Sequence, residues 1–251
     1  GDVTIGGASA ALTGIQVFMS GNLVLTNTGS IFVTQVGEWI EGVDDVTVTA
    51  VGAAADIQTG GLNGFFAPPA GAIGSSDGAV TLNAGRDVIL GDALNNFYGD
   101  VTATNGNLSI TAGRDFTLTA DPLAASGGGT LTISAGRDLT LAPPGGAFGP
   151  ALLTTGGLID LDAVGVVTIN GGLAPSVVSG GGNIDITGAS LALGDGINAT
   201  LGTVTLIATT STITDLNGVS LNVAGGLVTA TAVGAIELDT EAVSLTAATT
   251  N

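Results

Sequence analysis

The three basic residues of this 251-residue chain, Arg86, Arg114 and Arg137, occupy one four-letter phrase that occurs three times. The copies are Ala84-Gly85-Arg86-Asp87, Ala112-Gly113-Arg114-Asp115 and Ala135-Gly136-Arg137-Asp138. Each lies between two short runs in which apolar and polar residues alternate. For the second copy these are Leu108-Ser109-Ile110-Thr111 before and Phe116-Thr117-Leu118 after. The phrase returns after 28 and then 23 residues. A unit that short cannot bury an apolar face alone, so it must stack on its neighbours.

Alternation at period two along nearly the whole chain argues for half-buried strands rather than helices. Leu108, Ile110 and Ala112 are expected to point inward, as are Phe116, Leu118 and Ala120, with Gly113-Arg114-Asp115 turning the corner between them. A third side comes from an upstream run such as Val101-Thr102-Ala103. Looser copies include Leu23-Val24-Leu25, Val46-Thr47-Val48, Ile159-Asp160-Leu161, Ile184-Asp185-Ile186, Val204-Thr205-Leu206, Val219-Ser220-Leu221 and Ile236-Glu237-Leu238. The expected fold is all-β, a parallel β-helix (β-solenoid) over residues 1–251 as a single shaft segment. Coils about 4.8 Å apart, roughly ten or eleven of them, make a rod about 50 Å long. Glycine is expected at the corners for its conformational freedom, and aspartate for its bonds to local backbone.

Composition agrees with a narrow bore. Hydrophobic residues are 45% of the chain but aromatic residues only 4%, so Val, Leu, Ile and Ala must fill the interior. The 43 glycines follow no Gly-X-Y period, which excludes collagen. A net charge of −18 argues against nucleic acid as a partner, because a phosphate backbone needs Lys and Arg. The same charge argues against anionic membranes. No apolar run is long enough to insert in a bilayer. With no cysteine, the chain has no disulfide, thiolate site or thiol nucleophile.

Four stretches break the rhythm: Gly52–Gly78, Gly91–Asp100, Ala142–Thr155 and Gly171–Gly182. They hold Pro68-Pro69, Pro143-Pro144, Pro150 and Pro175, which suit positions off a ladder. They also hold Phe65, Phe66, Phe97, Tyr98 and Phe148. The stretches are expected to be loops thrown out from the rod. Their aromatic residues either cover apolar surface or form a patch for a glycan or protein of a host or matrix.

Acid–base chemistry would have to use carboxylates alone. Asp44-Asp45 are adjacent, and Asp160 and Asp162 share one side of a strand. Paired carboxylates can cleave polysaccharides, but the chain has no His or Lys to accompany them. Both pairs are therefore expected to be surface acids, and the chain no enzyme. Gly180-Gly181-Gly182-Asn183-Ile184-Asp185 and Gly194-Asp195-Gly196 only loosely approximate the calcium-binding nonapeptide, so no cofactor is expected and calcium stays an outside possibility. Two N-glycosylation sequons, Asn107-Leu108-Ser109 and Asn198-Ala199-Thr200, occur in a chain rich enough in Asn, Ser and Thr to hold them by chance.

The run from Gly106 to Ala120, Gly-Asn-Leu-Ser-Ile-Thr-Ala-Gly-Arg-Asp-Phe-Thr-Leu-Thr-Ala, resembles the haemagglutinin-type repeats of filamentous-haemagglutinin-like exoproteins exported by two-partner secretion. Asn95-Asn96-Phe97-Tyr98-Gly99-Asp100-Val101 is similar to an N-D-F-x-G-x-V segment of that group, with Asn where Asp is usual. The likeness is good from about Val80 to Leu141 and general elsewhere. It implies a right-handed β-helix shaft, an outer-membrane secretion partner, and a place outside or on the surface of a Gram-negative cell. Adhesion, biofilm cohesion and toxin display are the usual roles. A secretion domain, a toxin domain and an RGD triplet are not recognisable in this sequence.

The ends carry a further expectation. Written head to tail, Thr250-Asn251-Gly1-Asp2-Val3-Thr4-Ile5 copies the internal Thr104-Asn105-Gly106-Asn107-Leu108-Ser109-Ile110. Neither end reads as a polar cap. The chain is thus expected to be part of a longer shaft, or alternatively a subunit that stacks end to end into an extracellular filament.

Overall fold

Alternation at period two becomes, in the computed structural model, a continuous stack of parallel strands with no helix among the described residues. The structure describes residues 3–7, 11–12, 16–34, 39–60, 73–91, 101–119, 123–143, 150–170 and 175–250. Every paired strand runs parallel to its neighbours, so the chain is a β-solenoid.

Each coil has three sides. On the first, five-residue strands stack in strict register: Val80 pairs with Leu108, Leu108 with Leu131, and Leu131 with Ile159. On the second, Val88, Phe116, Leu139 and Val167 follow one another in the same way. On the third, Val101, Leu123, Leu152 and Val177 do so. All these residues are buried. A first-side strand buries two large residues and then a small one, as in Leu108, Ile110 and Ala112. The small residue precedes the corner. Three apolar columns fill a tube this thin without aromatic bulk, and among the described residues Phe116 is the largest fully buried side chain.

Seven successive coils, from the strand Leu23–Asn27 through Ile197–Asn198, carry three separate strands with described side chains. The expected number was ten or eleven, and toward the C-terminal end the plan changes. Val223–Ala232 and Thr240–Thr249 are ten-residue strands that pass from the third side onto the first without a break. Gly225-Gly226 stands at that bend, and a Cβ on Gly226 would meet the Leu201 carbonyl oxygen at 2.4 Å. Two expected strands are not regular there. Val219-Ser220-Leu221 lies exposed in a turn after Gly218, whose φ is +72°. Ile236 makes only an isolated bridge to Ile213.

Three of the four irregular stretches contain a third-side strand that period-two reading passes over: Ile73–Ser75, Leu152–Thr154 and Val177–Ser179. Three residues are too few to show a period. The head-to-tail likeness at the termini also fails as a match of position. Thr250 follows a first-side strand and donates to the Ala232 carbonyl at 2.9 Å, whereas Thr104 follows a third-side strand and donates to Ser75 at 3.1 Å.

The corners divide the labour. Connections from first to second side run from one residue (Ala189) to six (51–56), and those from third to first run from three to five. Connections from second to third side are the variable ones. They run from two residues between Gly194 and Ile197, through seven between Asp215 and Val223, to ten between Leu90 and Val101 and thirteen between Thr59 and Ile73. The longest connections therefore fall on a single edge.

Candidate functional site

The Ala-Gly-Arg-Asp phrase forms the first-to-second corner, and its arginines do not converge in a pocket. They sit one coil apart along the edge, each reaching to the coil before it. Arg86 Nε donates to Asp56 Oδ1 at 2.7 Å, Arg114 Nε to Asp87 Oδ1 at 2.9 Å, and Arg137 Nε to Asp115 Oδ1 at 2.7 Å. In each case Nη2 donates to the other carboxylate oxygen, giving a two-pronged pair. The aspartate of the same phrase is the second neighbour, at 3.5, 3.2 and 3.1 Å for Asp87, Asp115 and Asp138. The result is one alternating column: Asp56, Arg86, Asp87, Arg114, Asp115, Arg137, Asp138.

These aspartates also hold the backbone. Asp56 Oδ1 accepts the N–H of Asp87 at 3.2 Å, and Asp87 Oδ1 that of Asp115 at 3.2 Å. Asp138 Oδ1 accepts the N–H of Val166 at 2.9 Å. Ser30 begins the column, its Oγ accepting the Asp56 N–H at 2.9 Å. The first aspartate was invisible from the phrase, because its corner reads Ala54-Ala55-Asp56, without Gly-Arg. Its one signal is position, immediately before the apolar Ile57 that opens a second-side strand.

Burial grades along the column. The side chains of Asp87 and Asp115 are 9% and 18% exposed, while Arg114 is 47% exposed. Burial pushes the Asp87 carboxyl up, but the hydrogen bonds from Arg114 and the Asp115 N–H, with the charges of Arg114 and Arg86, outweigh it and leave it below its ordinary value.

Gly85, Gly113 and Gly136 serve a different purpose from the expected conformational freedom, since none has a positive φ. A Cβ on each would lie 2.2 Å from the carbonyl oxygen of the glycine one coil before: Gly52, Gly85 and Gly113. Close stacking of corner on corner excludes any side chain.

Of the other nominated acids, Asp45 holds backbone of the next coil. Asp45 Oδ1 accepts the Ala79 N–H at 2.9 Å, and Asn22, Asn107 and Asn183 accept the next coil's N–H at the same corner. The Asn107 sequon thus uses its amide in an inter-coil bond, with Leu108 buried behind it. The Asn198 Oδ1 accepts its own Thr200 N–H at 2.7 Å. Asp160 and Asp162 share one face, and Asp185 stacks directly on Asp160. Burial, then Asp162 and Asp185, raise the Asp160 carboxyl. Glu41, buried on the third side between the positions of Phe18 and Gly74, is raised by burial. Among the described residues no three carboxylates form a group able to hold a metal ion.

The nominated aromatic residues Phe65, Phe66, Phe97, Tyr98 and Phe148 lie outside the described residues. Residues 60–72, 91–100 and 142–151 all join second side to third. Comparison with protein-family models, curated proteins and solved structures returned no match to this chain.

Proposed function

We infer that the chain is a length of non-enzymatic structural shaft that presents its contacts along the edge between the second and third sides. The observation that carries this reading is that the longest connections, of seven to thirteen residues, all fall at that corner. There, connections range from two to thirteen residues, while the other two corners stay short. A scaffold under packing constraint on all sides varies only where chain can leave without disturbing the ladder. The corner chemistry supports the same reading. The chain's only cations hold carboxylates of adjacent coils, so they serve cohesion rather than a substrate.

The likeness of Gly106–Ala120 to haemagglutinin-type repeats extends the proposal. The shaft belongs to an adhesin-like exoprotein passed outward by an outer-membrane partner and held outside a Gram-negative cell, in adhesion or biofilm cohesion. The stacked parallel coils fit that lineage.

The test is to replace residues 60–72 by the two-residue corner Asp195-Gly196 and to assay binding on a glycan array and on matrix proteins. The expected outcome is an unchanged β spectrum with lost binding. A shortened chain that folds and keeps all binding overturns the display role. A chain that does not fold overturns the claim that this edge lies outside the ladder.

A further inference from the structure

The variable edge includes one long connection that is fully described, residues 216–222 between Asp215 and Val223. It exposes three large apolar side chains within six residues: Leu216 at 54%, Val219 at 100% and Leu221 at 44%. The shaft's outward strand positions are mostly Thr, Ser, Asp and Asn. None of these three residues belongs to an apolar column. On this coil the columns are filled by Ile213 and Val223, both fully buried.

Polar bonds fix the shape of this connection. Asp215 Oδ1 accepts the Asn217 N–H at 2.7 Å, closing a tight turn. With the Asn217 amide nitrogen facing Asp215, it also donates to the Ser220 carbonyl at 2.9 Å. Asn222 is fully buried. Its amide donates to the Leu193 carbonyl at 3.3 Å and accepts the Asp239 N–H at 3.0 Å, tying the connection to the coils on either side. A satisfied buried amide holds a unique conformation. The turn is thus held by hydrogen bonds while its apolar side chains face water, which is the reverse of how a loop closes over a core.

We propose that Leu216, Val219 and Leu221 form a preformed docking knob for a protein partner whose apolar face is bordered by Lys or Arg. The choice of partner follows from charge. The chain has no Lys or Arg after Arg137. Asp215 opens the connection, the N–H of Asp239 bonds to its Asn222, and Glu237, whose N–H donates to the Ile213 carbonyl from the following coil, is exposed. An apolar surface rimmed by carboxylates repels an anionic membrane and complements a cationic rim. A preformed turn also loses little conformational freedom on binding. The proposal rests on reading this edge as the contact edge.

The probe is a labelled amphipathic Lys/Leu helical peptide, compared by fluorescence anisotropy with a Lys/Ser peptide of equal charge. Because the whole chain is acidic, both peptides bind weakly. The knob is read from the difference. The Lys/Leu peptide is expected to bind at least about tenfold more tightly. Leu216→Ser, Val219→Ser and Leu221→Ser together should erase that margin, and Val219→Ser alone should reduce it. Equal affinity of the two peptides overturns the proposal, as does a margin that survives the triple substitution. Binding of phosphatidylcholine vesicles in preference to the Lys/Leu peptide also overturns it. If spin-label distances along the shaft stay regular while the knob fails, the shaft reading stands and only this inference falls.

Discussion

Arg114 grips Asp87, the acid of the preceding coil, with Nε at 2.9 Å from Oδ1 and Nη2 on the other oxygen. The phrase that repeats along the chain is therefore half of each pair and is completed only by stacking. Its arginine binds backward, and its aspartate waits for the arginine of the next coil.

Removing the acid should cost more where it is buried. Asp87→Ala takes away the partner of Arg114 and the acceptor of the Asp115 N–H, and is expected to cost about 1–3 kcal/mol. Asp138→Ala, whose side chain is 40% exposed, should cost less, about 0–1 kcal/mol. Denaturant unfolding of both variants checks the order. Equal losses would contradict the graded column.

Acid should weaken the ladder. The Asp87 carboxyl lies below its ordinary value in the folded chain, so between that lowered value and the unfolded one the unfolded state binds more protons. Its contribution is full above pH ~4 and is lost as pH falls through the folded value. Asp87→Asn should flatten the pH dependence of stability below pH ~4. An unchanged acid profile in that variant would contradict the assignment.

Asp160 and Glu41 carry the opposite sign. Burial, with Asp162 and Asp185 beside it, raises Asp160, and burial raises Glu41. Each is destabilising once pH exceeds its unfolded value and is relieved as pH falls. Asp160→Asn and Glu41→Gln should each raise Tm at pH 7 and leave it nearly unchanged near pH 3. A drop in Tm at pH 7 would show that the charged forms have partners the geometry does not give them.

Glycine at the corner should be irreplaceable for lack of space. Gly113→Ala places a Cβ 2.2 Å from the Gly85 carbonyl oxygen, and overpacking of this kind costs about 1–3 kcal/mol. Gly128→Ala meets nothing within 4 Å but stands at φ +84°, so its cost is backbone strain, about 1 kcal/mol. Gly113→Ala should also widen the spacing to the preceding coil, seen as faster amide exchange at position 113 and at Arg114, whose N–H groups donate to the carbonyls of Ala84 and Arg86. Uniform protection across both variants would contradict this.

Phe116 tests the columns. It stacks between Val88 and Leu139, and Phe116→Ala should cost about 3–5 kcal/mol. Phe116→Leu, which makes the position like Leu139, should recover most of that. Failure of leucine to do better than alanine would contradict simple column packing.

The sequence showed the architecture where residues bore strict copies. Leu108, Ile110 and Ala112 alternate over five residues, enough for the period to be read. Ile73, Leu152 and Val177 open strands of three residues inside irregular stretches, so no period survived and, unlike Val101-Thr102-Ala103, they read as loop. Arg114 and Asp115 were legible as a corner, but not the pairing of Arg114 with Asp87, because that depends on which residues stacking brings together. Asp56 was missed for the same reason. Val219 and Leu221 imitate a strand in the alphabet alone, and Gly218 turns them outward. That all long connections share one edge needed the strand bounds on both sides of each.

The central claim, a regular parallel stack, is tested most directly by distances between spin labels. The chain has no cysteine, so pairs can be introduced cleanly. Thr47, Thr81, Ser109 and Thr132 occupy one register on successive coils, and Thr205 and Thr229 continue it. With Thr47→Cys as the fixed label, the account predicts separations that grow by about 4.8 Å per coil, reaching about 14 Å at Thr132 and about 34 Å at Thr229. Distances that level off or scatter with coil number would contradict it.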